Sequence, residues 1–288
     1  MSISEKLGFS KNTKLLIIHA DDAGLANAEN LATITALEKG LVNSYSIMVP
    51  CPWFFEMAAF ASKEKQYDCG IHLTLTCEWK HYKFGPVLPA SEVPSLVDKQ
   101  GYFHRSREEF KANATVTDVK KELKAQIERA LEYGISPTHL DSHMYTLGVD
   151  SIFLQVYKEL GIEYNLPILL NKTFLDSFGI DTEKHLSSSD FCVDKVVLGH
   201  YDYFEKGELA NYYEDSLNSI TEGLNMILIH PALDNQEMQA IAINHPNFGS
   251  KWRQIDLDFF TSEKCRSLLL KNNIQLITWR DIQLALHT

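Results

Sequence analysis

Cysteine is scarce in this sequence and shows no pairing pattern. The 288 residues include five cysteines, an odd number, and no two of them form a Cys-x-x-Cys motif. Such usage does not predict a disulfide framework and is typical of reduced thiols in a cytoplasmic protein. None of the five lies in a motif that marks a nucleophile: Cys51, Cys69, Cys77, Cys192 and Cys265.

Long apolar runs are also lacking. No run approaches the ~18 consecutive apolar residues that cross a bilayer. Residues 1–8 do not combine a basic start with an apolar stretch, so they do not resemble a secretory signal. We therefore expect a cytoplasmic protein with no membrane partner.

Positive charge is in the minority. Lys and Arg number 27 against 38 Asp and Glu, which gives a net charge of −11. A chain of this charge without a basic run repels nucleic acid and anionic membranes. No Gly-x-Gly-x-x-Gly or P-loop motif follows a predicted strand, so nucleotide binding has no support. We expect a small-molecule partner and leave a homodimer open.

The most informative segment comes early in the chain. The apolar run of residues 15–18 is followed by His19, Ala20, Asp21 and Asp22, and Gly24 then begins a turn. A short apolar run with such boundaries predicts a parallel strand that is buried on both faces. Two adjacent carboxylates at its end are costly to bury unless a cation accompanies them. The alternative is a structural one, in which one Asp caps the next helix and the other faces water.

Further strands alternate with amphipathic helices along the whole sequence. This order predicts a mostly parallel sheet with helical crossovers. Seven or eight such units within 288 residues favour an α/β fold, a closed or nearly closed (β/α) barrel, with residues 1–288 as one domain. The other predicted strands cover residues 42–49, 69–76, 135–145, 162–168, 196–198, 225–232 and 274–278.

Polar side chains stand at the ends of several predicted strands. His72 ends one strand, His139, Asp141 and His143 follow another, and His230 ends a third. Alternate residues on a strand share a face, so His139, Asp141 and His143 can point to one side. Nitrogen and oxygen donors without thiolates suit a divalent cation such as Zn²⁺, Mg²⁺ or Mn²⁺. Arg280 and Asp281 follow the last strand and are further candidates.

Residues 77–105 form a long segment without periodicity. It contains three prolines and several aromatic residues, among them Trp79, Tyr82 and Phe84. Long irregular loops in compact enzymes tend to cover substrates, so we expect these three rings to offer a surface to a ligand. A plain surface insertion is the alternative.

Five motifs together resemble the YdjC-like carbohydrate deacetylases, a group that includes chitooligosaccharide deacetylases. They occur at residues 19–25 (His-Ala-Asp-Asp-Ala-Gly-Leu), 70–76 (Gly-Ile-His-Leu-Thr-Leu-Thr), 137–143 (Pro-Thr-His-Leu-Asp-Ser-His), 229–232 (Ile-His-Pro-Ala) and 277–281 (Ile-Thr-Trp-Arg-Asp).

The resemblance implies a distorted (β/α) barrel related to the polysaccharide deacetylases. It also implies one divalent metal ion, Mg²⁺ or Zn²⁺, and hydrolysis of an N-acetyl group on an amino sugar or short oligosaccharide. Under it, Asp21 matches the general base, His230 the candidate acid, and Asp22, His72 and His143 the metal ligands. We expect His139, Asp141, Arg280 and Trp79 to support the site or bind substrate.

Two departures from the family pattern affect substrate choice and turnover. Residues 144–147 are Met-Tyr-Thr-Leu where further histidines are usual, and Ala23 replaces a common aromatic residue. Two other functions remain open. One is a metal-dependent sugar isomerase or epimerase, although such sites usually need more carboxylates and a lysine. The other is a sugar-binding protein that has lost activity.

Overall fold

Seven strands pair in parallel in the computed structural model, which describes residues 3–187 and 190–286. The strands are β1 (Lys14–Ala23), β2 (Ser44–Ile47), β3 (Cys69–Leu73), β4 (Leu140–Ser142), β5 (Lys195–Leu198), β6 (Gly223–Ile229) and β7 (Ile274–Leu276). Along the sheet their order is β4-β3-β2-β1-β6-β5, and β7 pairs with β1.

Helices precede, separate and follow these strands. They are α1 (Ile3–Lys6), α2 (Asn27–Lys39), α3 (Phe54–Lys63), α4 (Arg107–Asn113), α5 (Val116–Glu132), α6 (Ser151–Glu163), α7 (Lys172–Ser177), α8 (Thr182–His185), α9 (Tyr201–Glu205), α10 (Leu209–Asn218), α11 (Gln236–Ile241), α12 (Ser250–Phe260), α13 (Glu263–Lys271) and α14 (Trp279–Leu286). Every described helix is too short or too polar to cross a lipid bilayer.

Strand β1 is the centre of the sheet. One of its edges pairs with β6 from Lys14↔Gly223 to Ala20↔Ile229. Its other edge is shared, because β7 pairs with its first three residues and β2 with its last part. The end of β1 therefore lies among the ends of its neighbours.

The two edge strands, β4 and β5, are joined by irregular chain. The amide of Leu169 donates to the carbonyl of Leu140, and the amide of Val193 donates to the carbonyl of Leu170, both at 2.9 Å. These bonds connect β4 to residues that lead into β5. The sheet is thus a nearly closed, distorted parallel barrel, and this confirms the predicted fold class.

Each face of β1 packs into a different apolar core. Leu16, Ile18 and Ala20 belong to the large core between sheet and helices. Leu15 and Ile17 belong to a smaller core inside the barrel, together with Leu224, Met226 and Trp279. Because alternate residues share a face, His19 and Asp21 continue the inward-facing row above that core. The barrel interior is therefore apolar at one end and polar at the other.

Two predicted strands differ from the structure. Residues 162–168 were predicted as a strand, but α6 extends to Glu163 and only an isolated bridge, Leu140↔Ile168, follows. The prediction was wrong because a short apolar run does not distinguish a strand from the end of a buried helix. Residues 135–145 contain only the three-residue β4, after which the chain turns irregularly through His143–Gly148, where Met144 and Tyr145 have non-helical backbone angles.

Candidate functional site

A pocket of about 530 Å³ opens at the carboxyl ends of the strands. In parallel sheets the loops at these ends converge on one face, which is where chemistry collects in α/β proteins. Seven of the nine residues nominated as base, acid, metal ligands, or supporting or substrate-binding residues line it: Asp21, Asp22, His72, Trp79, Asp141, His143 and His230.

Asp22, His72 and His143 form the centre of this site. Asp22 Oδ1 lies 3.3 Å from His72 Nε2 and 3.1 Å from His143 Nδ1. All three side chains are buried, and their donor atoms lie within 4.8 Å of one another. Two imidazole nitrogens and one carboxylate oxygen are a donor set that suits a divalent cation with open positions.

The second nitrogen of each of these imidazoles faces a carboxylate. His72 Nδ1 lies 2.8 Å from Asp141 Oδ1, and His143 Nε2 lies 3.1 Å from Glu78 Oε2. A carboxylate behind a histidine ligand fixes its tautomer and ring orientation and makes the free nitrogen a better donor to metal. The surroundings of both rings thus fit a metal site.

Charge is concentrated around these groups. Burial alone would raise the pKa of Asp22, but the charges of His143 and Arg253 hold that pKa well below its usual value. Burial alone would lower the pKa of His143, yet Glu78 and Asp22 outweigh it and raise the pKa to about 9. The protein alone therefore places positive charge where a cation would lie, and an arriving cation would displace the imidazole protons.

Asp21 and His230 lie beside the three central residues. Asp21 Oδ2 is 3.7 Å from His230 Nε2, and Asp21 Oδ1 is 4.0 Å from His72 Nδ1. Burial lowers the pKa of His230 to about 4, so its imidazole is neutral at pH 7. Its Nδ1 is buried without a hydrogen-bond partner among the described residues, while its backbone amide donates to Asp256 at 2.9 Å.

His19 lies beneath the pocket and links two carboxylates. Its Nε2 is 3.0 Å from Asp21 Oδ1 and 2.8 Å from Asp141 Oδ2. Burial favours the neutral ring, but the hydrogen bonds to Asp141 and Asp21 prevail and raise its pKa to about 9. We did not nominate His19 from the sequence, although its position two residues before Asp21 on the same strand face was an available signal.

His139 lies below the pocket rather than on its wall. Its ring stacks on Trp279 at 4.8 Å, and its Nε2 is 3.7 Å from Asp141 Oδ2. A Cβ atom at Gly70 would lie only 2.3 Å from His139 Nε2, so glycine is required for this close approach. His139 thus faces Asp141 from the closed side of the barrel.

Arg280 is not at the site. Its guanidinium donates to the carbonyl of Lys65 at 2.8 Å, and its backbone amide donates to Asp68. It therefore anchors the start of α14 to the segment before β3. The sequence suggested otherwise because Arg280 follows a strand, but helix α14 begins at Trp279 and carries the side chain away.

Of the three aromatic residues nominated in the long loop, only Trp79 lines the pocket. It is buried, with the guanidinium of Arg253 5.5 Å above its ring. Tyr82 instead donates its hydroxyl to the carbonyl of Leu25 at 2.5 Å, and Phe84 packs on Phe103. Tyr82 thus attaches the loop to the turn after β1, whereas Phe84 packs within the loop. The aromatic wall of the pocket comes from Tyr145, Phe174, Phe178 and Phe248.

Several wall residues have a left-handed backbone. Asp22, Met144, Tyr145 and Phe248 have φ between 52° and 66°, and all four line the pocket. The other non-glycine residues with positive φ in the described ranges are asparagines, which tolerate this conformation. Backbone strain persists only where the surroundings impose it, and it clusters at functional sites. This distribution marks the pocket independently of its charges.

Tyr145 and Thr146, in the segment that departs from the family pattern the sequence resembles, make packing contacts and hydrogen bonds within the chain. The hydroxyl of Tyr145 accepts a hydrogen bond from the amide of Asn171 at 3.2 Å, and its ring lies against Phe174 and Phe178. The hydroxyl of Thr146 donates to the carbonyl of His143 at 2.7 Å. These contacts build one wall of the pocket and hold the turn that carries His143.

Three more residues at the site escaped the sequence analysis: Glu78, Arg253 and Phe248. Glu78 and Phe248 lie in loops and Arg253 lies on α12. Neither a hydrophobic periodicity nor a position at the end of a strand distinguishes them in the sequence. Two alternative donor groups lie next to the central one: His19, His139 and Asp141, and Asp21, His72 and Asp141, of which the second shares His72 with it. The groups Asp22, His72 and His143 and Asp21, His72 and Asp141 both lie entirely on the pocket wall. In the second group, His19 Nε2 already lies 3.0 Å from Asp21 and 2.8 Å from Asp141.

Comparison with known proteins identifies relatives that match nearly the whole chain. A relative from Thermus thermophilus is 31% identical over an alignment of 292 positions, which covers 99% of this chain and 100% of that protein. Another from Thermoanaerobacter pseudethanolicus is 27% identical over 266 residues, or 92% of this chain and 98% of that protein. Both relatives are named carbohydrate deacetylases.

A solved structure has the same fold. It comes from Enterococcus faecalis and is described as that of a candidate cellobiose-phosphate cleavage protein. It superposes with a TM-score of 0.79 at 26% identity, over 94% of this chain and 99% of that one. The family model described as YdjC-like protein matches residues 15–271, and the chain therefore belongs to the YdjC-like family.

Proposed function

We propose that this protein is a metal-dependent carbohydrate deacetylase, which hydrolyses an N-acetyl group on an amino sugar or short oligosaccharide. The observation that carries the proposal is the convergence of Asp22, His72 and His143, with Asp21 and His230 beside them. The names of the relatives support the substrate class. The pocket volume is within the ~300–1,000 Å³ range of small-molecule sites.

In this proposal Asp22 Oδ1, His72 Nε2 and His143 Nδ1 hold one divalent ion, Zn²⁺ or Mg²⁺. A bound divalent ion would lower the pKa of water and polarise the acetyl carbonyl. Asp141 and Glu78 would keep the two imidazoles in the neutral tautomer that leaves these nitrogens free. The remaining steps belong to groups of the chain itself.

Asp21 is the general base. Its carboxylate is adjacent to the three central residues but is not among them, so it is free to accept the proton of the water that attacks the acetyl carbon. His19 holds Asp21 Oδ1 from below, which leaves Oδ2 directed toward His230. Asp21 is thus oriented for transfer from one side of the pocket to the other.

His230 delivers a proton to the departing nitrogen. Its ring is neutral before the reaction, and its Nε2 lies 3.7 Å from Asp21 Oδ2. In the proposed reaction, Asp21 carries the proton taken from water. Passing this proton through His230 lets the C–N bond break with the amine as a neutral leaving group. The carbonyl carbon gains the water oxygen, and acetate and the free amino sugar are the products.

The proposal is tested by acetate release. Purified protein would be stripped with a chelator, reloaded with Zn²⁺ or Mg²⁺, and incubated with N-acetylglucosamine and short chitooligosaccharides. We expect stoichiometric acetate and free amine with the loaded protein and none with the stripped protein. Ring-opened or epimerised sugar without acetate would instead identify an isomerase or epimerase, although no lysine lines the described pocket. Saturable sugar binding without any product would identify a binding protein.

A further inference from the structure

Arg253 on α12 is a buried cation behind the candidate metal ligands. It is 1% exposed. Each of the three nitrogens of its guanidinium donates a hydrogen bond. Nη2 donates to Asp22 Oδ2 at 2.9 Å, Nε donates to the carbonyl of Phe248 at 2.7 Å, and Nη1 donates to Glu29. A planar guanidinium holds such a set of acceptors in one geometry, which a lysine ammonium does not.

The two oxygens of Asp22 consequently have different surroundings. Oδ1 faces His72 and His143, and Oδ2 is occupied by Arg253. We propose that Arg253 is a positioning residue that restricts Asp22 to a single ligand oxygen. This role rests on the proposed function, since it concerns how Asp22 meets a divalent ion.

A carboxylate with both oxygens free can grip a cation with both of them. Such a grip would fill a position that a catalytic site keeps open for water or substrate. By holding Oδ2, Arg253 leaves Oδ1 as the donor that Asp22 offers beside the two imidazole nitrogens. Replacing buried ion pairs by apolar groups is often neutral for stability, so stability alone does not explain a buried arginine.

The same arginine also reaches the wall next to His230. Its acceptor, the carbonyl of Phe248, belongs to a residue with φ of 53°, and the Phe248 ring lies 4.8 Å from the ring of His230. Arg253 therefore joins the ligand oxygen on β1 to the strained turn that packs against the candidate acid. Its removal should disturb both the ligand geometry and the reaction, and not only the packing of α12.

The test uses Co²⁺, whose visible absorption changes in position and intensity with coordination number. The full chain would be stripped with a chelator and titrated with Co²⁺. Arg253→Met/Glu29→Gln removes the guanidinium without leaving Glu29 as an unpaired buried charge. Arg253→Lys keeps the positive charge but loses the planar guanidinium with its several N–H donors. The matched control is Arg266→Met, a change at a half-exposed arginine on α13.

We expect the control to share the spectrum and rate of the unsubstituted protein. The double variant should show the weaker bands of a higher coordination number, and its kcat for acetate release should fall by about 100-fold, as expected when reacting groups are misplaced. Arg253→Lys should recover part of both. A folded double variant with the unsubstituted spectrum would overturn the role of Arg253 while leaving the proposed function intact.

If the double variant does not fold, Arg253→Lys decides. One ammonium cannot span Asp22, Glu29 and Phe248 together, so both its spectrum and its kcat should change, and unsubstituted values for both would overturn the role. If the unsubstituted protein bound no Co²⁺ at all, the proposed function would fail first and the role of Arg253 with it.

Discussion

His72 Nδ1 lies 2.8 Å from Asp141 Oδ1, while the opposite nitrogen of the same ring faces Asp22. Strand pairing sets this relationship, because His72 and Asp141 are direct neighbours in the register of β3 and β4. With a divalent ion in place of one imidazole proton, Asp141 would favour the His72 tautomer that is protonated on Nδ1 and offers Nε2 toward Asp22.

The first prediction concerns this carboxylate. Asp141→Asn should weaken binding of Zn²⁺ by about 10- to 100-fold, because an amide supports the required tautomer poorly. Affinity would be measured by competition with a chromogenic chelator. Asp202→Asn, at an exposed position on α9, is the control and should bind as the unsubstituted protein does. Equal affinity in both variants would show that Asp141 does not set the His72 tautomer.

The second prediction separates the adjacent carboxylates of β1. Asp21→Asn should keep the metal but lose kcat by ~10²–10⁴, the usual contribution of a general base. Asp22→Asn should lose the metal first, since it removes the oxygen that faces both imidazoles. Metal content and acetate release would be measured on both variants in parallel. A fully active, metal-loaded Asp21→Asn would move the base elsewhere, with Asp141 as the next candidate.

The third prediction concerns stability and pH at Asp256. Burial raises the pKa of this carboxyl to about 7, although it accepts hydrogen bonds from the amide of His230 and the hydroxyl of Tyr213. In the unfolded chain its pKa is near the ordinary value of ~3.9. Between these two pH values the Asp256 carboxyl is protonated in the folded protein but ionised in the unfolded chain. Its contribution to the free energy of unfolding is therefore complete below pH ~4 and is lost as pH rises through about 7.

Urea unfolding at pH 5 and pH 7.5 would measure this effect. The fall in unfolding free energy between the two pH values should be smaller in Asp256→Asn than in the unsubstituted protein, because the amide does not titrate. Asp258→Asn, exposed on the same helix, should retain the full fall. The same fall in all three proteins would contradict the assignment.

The fourth prediction concerns the contact between Gly70 and His139. Gly70→Ala places a Cβ 2.3 Å from His139 Nε2, so the ring must move, and overpacking of this kind costs ~1–3 kcal/mol. In Gly70→Ala/His139→Ala the clash is gone. The unfolding free energies of the two single variants and the double variant form a cycle, and the double variant should be more stable than additivity predicts. Strict additivity would show that the two residues do not press on each other.

The sequence by itself determined the residues whose placement follows from the period of a strand. An apolar run that ends in His19, Asp21 and Asp22, and histidines at the ends of later strands, sufficed because parallel strands bring their carboxyl ends to one edge. Two rules were enough: side chains alternate between the faces of a strand, and parallel strands end at the same edge of the sheet. Neither rule depends on the conformation of the loops. The nearly closed parallel barrel and the gathering of strand-end histidines and aspartates followed from these two rules, whereas the choice of Asp22, His72 and His143 among them came from the family resemblance.

Only the tertiary structure decided which distant groups support them. Glu78 reaches His143 from a loop, and Arg253 reaches Asp22 from a helix 231 positions later, along paths that no periodicity describes. Arg280 shows the converse, since a strand-end position did not keep it at the site once helix α14 turned its side chain away. Strand ends are placed by repeating backbone hydrogen bonds, whereas loop and helix side chains are placed by packing and charge pairing across the whole chain.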